Sequence, residues 1–187
     1  MPIELEKKYR LGPGDRDSIV LRLNAIGARF DGENFEENTI FPLMALTGKQ
    51  AILRIRRTET ATILTLKQRV PFNSDIKHQI EHETEVSDHN AMREIVGQLG
   101  LKPLLIYEKK RATWRYEDAE IVLDELPFGS FMEIEGSEDA ILQAEKDLDI
   151  RHLIVERGTY PTLTAEYGEL VDGVKESRFL STSPLDR

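Results

Sequence analysis

The sequence predicts an α+β fold built on a mainly antiparallel β-sheet. About eight segments alternate apolar and polar residues with the period of two that is typical of strands, and about four others have helical spacing. The order is a strand, a helix, four strands, a helix, three strands and two helices, so strands far outnumber the βαβ units of a parallel sheet. Charges of one sign recur on the polar faces of these strands, which favours a sheet closed into a barrel.

The first half of the chain supplies five of the predicted strands and one helix. Residues 2–11 form the first strand, which the LGPGD segment ends, and Asp15 is the predicted N-cap of a helix that runs to about Gly27. Loops are predicted at MALTGK and VPFNSD. The next four strands are predicted at residues 34–42, 50–57, 61–69 and 77–86.

The second half begins with a helix that Asp88 or Ser87 caps and Gly100 closes. Strands are predicted at residues 104–116, 119–125 and 131–135, followed by a helix from Ser137 to about Leu148 and a last helix near 160–171. We expect one domain over residues 1–171. The tail, residues 172–187, has weak apolar patterning and is predicted to be mobile.

The composition excludes several classes of protein. The 187-residue chain has no cysteine, so neither a disulfide framework nor a cysteine metal site is possible. No apolar run approaches the length of a membrane span, and the charged N-terminus is unlike a signal peptide, so the expected location is cytoplasmic. The net charge of -9 argues against nucleic acid as a partner.

The polar faces of the predicted strands carry the candidate site. Glu4, Glu6 and Lys8 lie two residues apart and therefore share one face of the first strand. Same-sign pairs recur in later strands, whereas an open, solvated sheet face tends to pair opposite signs. A solvated face remains the alternative for any single strand. The acids with this parity are Glu4, Glu6, Glu81, Glu83, Asp124, Glu133 and Glu135, and the bases are Lys8, Arg54, Arg56, Lys67, Lys109 and Arg111.

These residue types suit a phosphorylated ligand and a metal ion. Arginine offers a planar fork that matches phosphate, lysine gives a compact charge, and carboxylate oxygens are the ligands that Mg²⁺ and Mn²⁺ prefer. A barrel of about eight strands is wide enough to hold one small ligand. The pattern therefore indicates a metal-bridged polyphosphate inside a closed barrel.

The charged motifs resemble those of the CYTH superfamily, also called triphosphate tunnel metalloenzymes. The N-terminal Glu-x-Glu-x-Lys motif is followed in the family's order by LRIR, LTLK, EHETEV, YEKKR and VLDELPFGSFMEIE, and GTYPTL near Tyr160 is similar to the family's late Ser-Tyr element. The resemblance covers about residues 2–165 and is strongest to the class IV adenylyl cyclase-like subgroup. It implies an eight-stranded antiparallel closed β-barrel, the triphosphate tunnel, with helices packed outside.

The resemblance also implies roles for the charged residues. Glu4 and Lys67 are the candidate catalytic residues, with Glu4 acting on the attacking water and Lys67 on the leaving group. The implied cofactor is Mg²⁺ or Mn²⁺. The implied metal ligands are Glu4, Glu6, Glu83, Asp124, Glu133 and Glu135. The implied triphosphate-binding residues are Lys8, Arg54, Arg56, Lys67, Lys109 and Arg111.

Three functions follow from these expectations. The first is a metal-dependent phosphohydrolase acting on a nucleoside, thiamine or inorganic triphosphate. The second is a class IV adenylyl cyclase that converts ATP to cyclic AMP and pyrophosphate, and the third is a non-catalytic polyphosphate-binding module. In each case the expected partner is a small-molecule triphosphate, without nucleic acid or membrane, and the protein would be a monomer or homodimer.

Overall fold

The structure is a computed structural model of the chain, and it describes residues 3–43, 51–70, 75–180 and 185. The predicted MALTGK loop and most of the VPFNSD turn lie outside these residues. None of the helices within the described ranges is long and apolar enough to cross a membrane. The cellular location stays a prediction.

The described residues form eleven strands and four helices, close to the predicted order. In chain order these are β1 (Ile3–Leu11), α1 (Asp15–Ala25), β2 (Arg29–Pro42), β3 (Ala51–Arg57), β4 (Thr62–Val70), β5 (Lys77–Glu85), α2 (His89–Gln98), β6 (Leu105–Tyr116), β7 (Ala119–Leu126), β8 (Gly129–Glu135), α3 (Glu138–Asp147), β9 (Ile154–Val155), α4 (Tyr160–Tyr167), β10 (Glu169–Val171) and β11 (Val174–Ser177).

Eight of the strands close into a ring. Its order is β6–β2–β3–β4–β5–β1–β8–β7, and β7 pairs back onto β6 through residues 110–116. Every pairing within the ring is antiparallel. The predicted eight-stranded antiparallel closed barrel is therefore confirmed.

Most of the apolar core lies outside the ring, between the strands and the helices, and a smaller cluster around Tyr107 and Tyr160 lies on its inner side. One cluster joins Ile19 and Leu23 of α1 and Ile141 of α3 to the outward residues of β7 and β8, such as Ile121 and Ile134. A second cluster places Val96 of α2 against Phe41 and Ile55. Because apolar and charged residues alternate along these strands, packing the apolar face outward turns the charged face inward.

Three helix N-caps were predicted from the sequence, and the structure confirms two of them. Asp88 accepts a hydrogen bond from the Ala91 amide at 2.9 Å, and Ser137 accepts one from the Ala140 amide at 3.2 Å. The prediction for α1 is wrong, because its N-cap is Gly14, at φ 84°, with no side-chain cap. Asp15 is instead the first residue of the helix, and its carboxylate accepts a hydrogen bond from the Gly12 amide at 2.7 Å.

Two elements differ from their predicted bounds. Strand β2 begins at Arg29 rather than at residue 34, because Arg29 and Phe30 pair with the far end of the long strand β6 beyond a bulge next to Gly32. The last helix ends at Tyr167, and two strands follow it.

Strand β11 lies within the predicted tail and pairs in parallel with residues 105–107 of β6. Past this strand, Arg178 forms ion pairs with Glu37 at 2.6 Å and with Glu108 at 3.0 Å. The domain boundary after residue 171, which falls between the paired strands β10 and β11, stays a prediction.

Candidate active site

The ring encloses a polar cavity with a volume of about 800 Å³. All of the predicted site residues line it except Asp124, which is buried beneath the cavity-lining residues Arg111 and Lys109. Clefts of roughly 300–1,000 Å³ are the usual size of small-molecule sites. The inward orientation that the alternation predicts for these charged side chains is what the structure shows.

Three carboxylates meet at one point of the cavity wall. Glu6 on β1 is directly opposite Glu135 on β8, and Glu4 lies on the same face two residues before Glu6. One oxygen from each of the three lies within 4.8 Å of the others. We call these three residues the carboxylate cluster.

The carboxylate cluster is electrostatically costly without a cation. Burial raises the pKa of Glu135 to about 7, even though the charge of Arg111 lowers it. Burial and a hydrogen bond with Glu81 raise the pKa of Glu4 despite the opposing charge of Lys67. Oxygen ligands at this spacing fit a hard divalent cation, whose charge would offset the repulsion.

Two arginines and a lysine on β3 and β4 form one cationic wall. Arg54 contacts Glu81 at 3.2 Å and Glu83 at 3.1 Å, and Arg56 contacts the same Glu83 oxygen at 3.3 Å. Lys67 contacts Glu81 at 2.7 Å and Glu4 at 3.3 Å. Burial and Arg54 lower the pKa of Lys67, but the nearby carboxylates outweigh them and raise it, so this ammonium stays charged.

Lys8, Lys109 and Arg111 form the opposite wall. Lys8 lies 3.1 Å from Glu133, and Arg111 lies 2.6 Å from another oxygen of the same carboxylate. Burial raises the pKa of Glu133, but the surrounding cations outweigh burial and hold that pKa well below its usual range.

Asp124 holds Arg111 and Lys109 of this second wall in position. Its carboxylate contacts Arg111 at 2.6 Å and Lys109 at 3.4 Å, and it accepts a hydrogen bond from the Tyr160 hydroxyl at 2.7 Å. The Tyr160 ring in turn lies beneath the Lys8 ammonium, which is 3.5 Å from the ring centroid. Residues from three different elements, β7, β8 and α4, therefore fix the positions of these cations.

The structure divides the six predicted metal ligands into two groups. Glu4, Glu6 and Glu135 come together in the carboxylate cluster. The other three, Glu83, Asp124 and Glu133, lie in ion pairs with the cations of the two walls.

Two buried charges were missed by the sequence reasoning. Glu36 is buried and lies 3.4 Å from Lys109, and Lys77 lies 3.1 Å from Glu6. Glu36 and Glu37 are adjacent, so alternation alone does not tell which of them points inward. Lys77 is the first residue of its strand, where parity is a weak signal, although it shares the parity of Glu81.

Comparison with known proteins places the chain among relatives with this barrel. The CYTH domain matches residues 2–160. A protein of Methanocaldococcus jannaschii named "Putative adenylate cyclase MJ0240" is 28% identical over 150 residues, which cover 79% of this chain and 84% of that protein.

Solved structures show the same fold at lower sequence identity. The PH1012 protein of Pyrococcus horikoshii superposes with a TM-score of 0.72 at 22% identity, over 84% of this chain and 96% of that chain. The HpAC1 protein of Hippeastrum, described as a "putative adenylyl cyclase" with a dominant triphosphatase activity, superposes with a TM-score of 0.65 at 20% identity, over 87% and 95% of the two chains.

The matched segment runs from the start of β1 to the first residue of α4. It therefore includes all eight strands of the ring, both cationic walls, the carboxylate cluster and Tyr160. The chain belongs to the CYTH domain family.

Proposed function

We propose that this protein is a divalent-metal-dependent triphosphatase that removes the terminal phosphate of a triphosphate bound in the cavity. The observation that carries the proposal is the arrangement inside the ring, where two cationic walls flank a cluster of three carboxylates. Arginine and lysine neutralise and orient phosphate oxygens. Few other small ligands need both a cationic cage and a carboxylate cluster in one cavity.

The carboxylate cluster of Glu4, Glu6 and Glu135 would hold Mg²⁺ or Mn²⁺. Such an ion would neutralise the negative charge of the phosphates during phosphoryl transfer. The other predicted ligands, Glu83, Asp124 and Glu133, would instead hold the cations of the walls in position. This division follows from the mutual approach of the oxygens, since among the described residues the three carboxylates within 4.8 Å of one another are those of the carboxylate cluster.

The side chains of the walls have distinct tasks in the proposed reaction. Water attacks the terminal phosphorus, the bond from that phosphorus to the bridging oxygen breaks, and the remaining diphosphate leaves with the bonding electron pair. This leaving group is pyrophosphate when the substrate is inorganic triphosphate, and the nucleoside or thiamine diphosphate when the substrate is organic. Glu4 would orient the water and accept its proton, and Lys67 would stabilise the charge that develops on the leaving group. The residues that would grip the triphosphate are Lys8, Arg54, Arg56, Lys67, Lys109 and Arg111.

A class IV adenylyl cyclase is the second candidate, and the name of the Methanocaldococcus jannaschii relative favours it. In that reaction the ribose 3′-hydroxyl of ATP attacks the α-phosphorus and pyrophosphate leaves. The dominant triphosphatase activity described for the Hippeastrum protein supports hydrolysis instead. The cationic walls would serve either reaction. A binding module without turnover is the third candidate.

One assay separates the three candidates. The protein is incubated with Mg²⁺ or Mn²⁺ and, separately, with ATP, thiamine triphosphate or inorganic triphosphate, and orthophosphate, pyrophosphate and cyclic AMP are measured. Metal-dependent release of orthophosphate is the expected result. Formation of cyclic AMP and pyrophosphate from ATP would indicate the cyclase reaction instead of hydrolysis. Tight metal-dependent binding without turnover would indicate a binding module.

A matched pair of variants tests whether the carboxylate cluster carries the activity. Glu135→Gln removes one charge from the cluster, and Glu125→Gln removes one from the outward-facing, half-exposed pair that Glu125 forms with Lys110. Only Glu135→Gln is expected to abolish turnover.

A further inference from the structure

The two ends of the cavity differ in chemistry. Neighbouring strands of the ring are antiparallel, so the end of β2 and the starts of β3 and β6 lie at the same rim. Four cavity-lining residues from the end of β2, the start of β3 and the position just before β6 carry no charge, and we call them the apolar mouth. They are Pro42, Ala51, Ile52 and Leu104.

The opposite rim is acidic. It collects the start of β1 and the ends of β3, β5 and β8, and so it carries three carboxylates, Glu4, Glu83 and Glu135, against one cation, Arg56. A triphosphate held between the cationic walls, with its terminal phosphate near the carboxylate cluster, would point its other end at the apolar mouth. Inorganic triphosphate has no group that gains from contact with apolar side chains, whereas an organic triphosphate has one.

Arg69 is a cation at the apolar mouth. It follows Gln68, which pairs with Ala51, it lines the cavity, and its side chain is exposed. Each of the six predicted triphosphate-binding cations has a carboxylate partner, but Arg69 has none among the described residues. A planar guanidinium that is free of ion pairs can stack on the face of an aromatic ring.

The charge of Arg69 also discriminates between aromatic rings. Lys77, another cation of this rim, is paired with Glu6 at 3.1 Å, whereas no carboxylate within the described ranges offsets the positive charge of Arg69. A thiazolium ring carries its own positive charge and would be repelled, whereas a neutral heterocycle would be attracted through its π face.

We propose that the apolar mouth and Arg69 form a subsite for a neutral heterocyclic base, so that the preferred substrate is a nucleoside triphosphate. This inference rests on the proposed function, because it assumes that the phosphates lie between the cationic walls. It assigns Arg69 a role in specificity and none in the chemical step.

The test compares kcat/KM for ATP, thiamine triphosphate and inorganic triphosphate in three proteins. These are the wild type, Arg69→Gln, and the control Arg93→Gln, which removes an exposed arginine from α2 on the outside of the barrel. We expect ATP to have the highest kcat/KM in the wild type. Arg69→Gln should lower that value by about two- to fivefold, as expected for loss of an exposed cation–π contact.

The control outcomes separate this inference from the function on which it rests. Inorganic triphosphate should change by less than about twofold in Arg69→Gln, since the contact that is lost is made to the base. Arg93→Gln should leave every value unchanged. Equal or faster turnover of inorganic or thiamine triphosphate by the wild type, or an equal loss for all substrates in Arg69→Gln, would overturn the subsite alone. If no triphosphate is turned over or bound, as measured by calorimetry with Mg²⁺, the proposed function itself fails.

Discussion

The guanidinium of Arg111 donates two hydrogen bonds to the carboxylate of Asp124, one from Nε at 2.8 Å and one from Nη2 at 2.6 Å. The Asp124 side chain has no exposed surface. A bidentate pair of this kind fixes both the position and the plane of the guanidinium. Asp124 therefore fixes the orientation of Arg111 toward the cavity. Its own carboxylate is covered by this pair, so Asp124 does not line the cavity although it has the same strand parity as the residues that do.

Asp124→Asn should reduce both stability and activity. It leaves Arg111 and Lys109 partly uncompensated in a buried site, and removing one partner of a buried pair costs up to about 3–5 kcal/mol of unfolding free energy. We expect kcat/KM to fall about 10- to 100-fold, as when residues that orient a site are lost. Urea denaturation and steady-state kinetics measure the two effects. Asp149→Asn, which alters an exposed carboxylate paired with Arg22, should change neither.

Arg56→Ala should reduce activity while leaving the fold intact. Its partner Glu83 is 39% exposed, so water can solvate the carboxylate that remains. Loss of a charged hydrogen bond to phosphate costs about 1.5–3 kcal/mol, or roughly 10- to 100-fold in kcat/KM. A melting temperature near that of the wild type would show that the loss is local. Kinetics like those of the wild type would remove Arg56 from the proposed triphosphate grip.

Metal affinity should depend on the carboxylate cluster. Glu6→Gln removes one of its three charged oxygen ligands, and we expect the dissociation constant of Mn²⁺ to rise at least about tenfold. Thermal shift measured across a metal titration reports this change, because a ligand that binds only the folded state raises its stability. Glu125→Gln is the control. An unchanged Mn²⁺ midpoint in Glu6→Gln would place the metal elsewhere.

The metal-free protein should lose stability as the pH rises from about 4.5 to about 7. The folded-state pKa of Glu135 is raised to about 7, so the folded state binds more protons than the unfolded state across that window. The contribution of Glu135 to the unfolding free energy is fully present below its ordinary pKa, and it is lost as the pH rises through the pKa that Glu135 has in the folded state. Unfolding free energies of the wild type and Glu135→Gln, measured at pH 5 and pH 8 without metal, isolate this contribution.

The variant should show a smaller decrease than the wild type, and Mg²⁺ should stabilise the wild type more at pH 8 than at pH 5. A decrease of the same size in both proteins would contradict the assignment of this titration to Glu135.

Local alternation was enough to predict most of the site. In LRIR, residues two apart share a face, so the spacing alone places Arg54 and Arg56 together. The same reasoning failed for Glu36, because the adjacent pair of glutamates gives no parity. The N-cap preference of aspartate was also misleading for α1, whose N-cap is Gly14 with a positive φ.

The sequence by itself determined which charged residues share a face of each strand and that the opposite faces are apolar, because side-chain direction within a strand is a local property. Only the tertiary structure decided which charges meet. Glu6 and Glu135 are neighbours because β1 pairs with β8, and Arg111 and Asp124 are neighbours because β7 pairs with β6 and closes the ring. Register and closure are set by packing between distant segments of the chain, so the division of the carboxylates into a cluster and a set of cation partners could not be read from spacing.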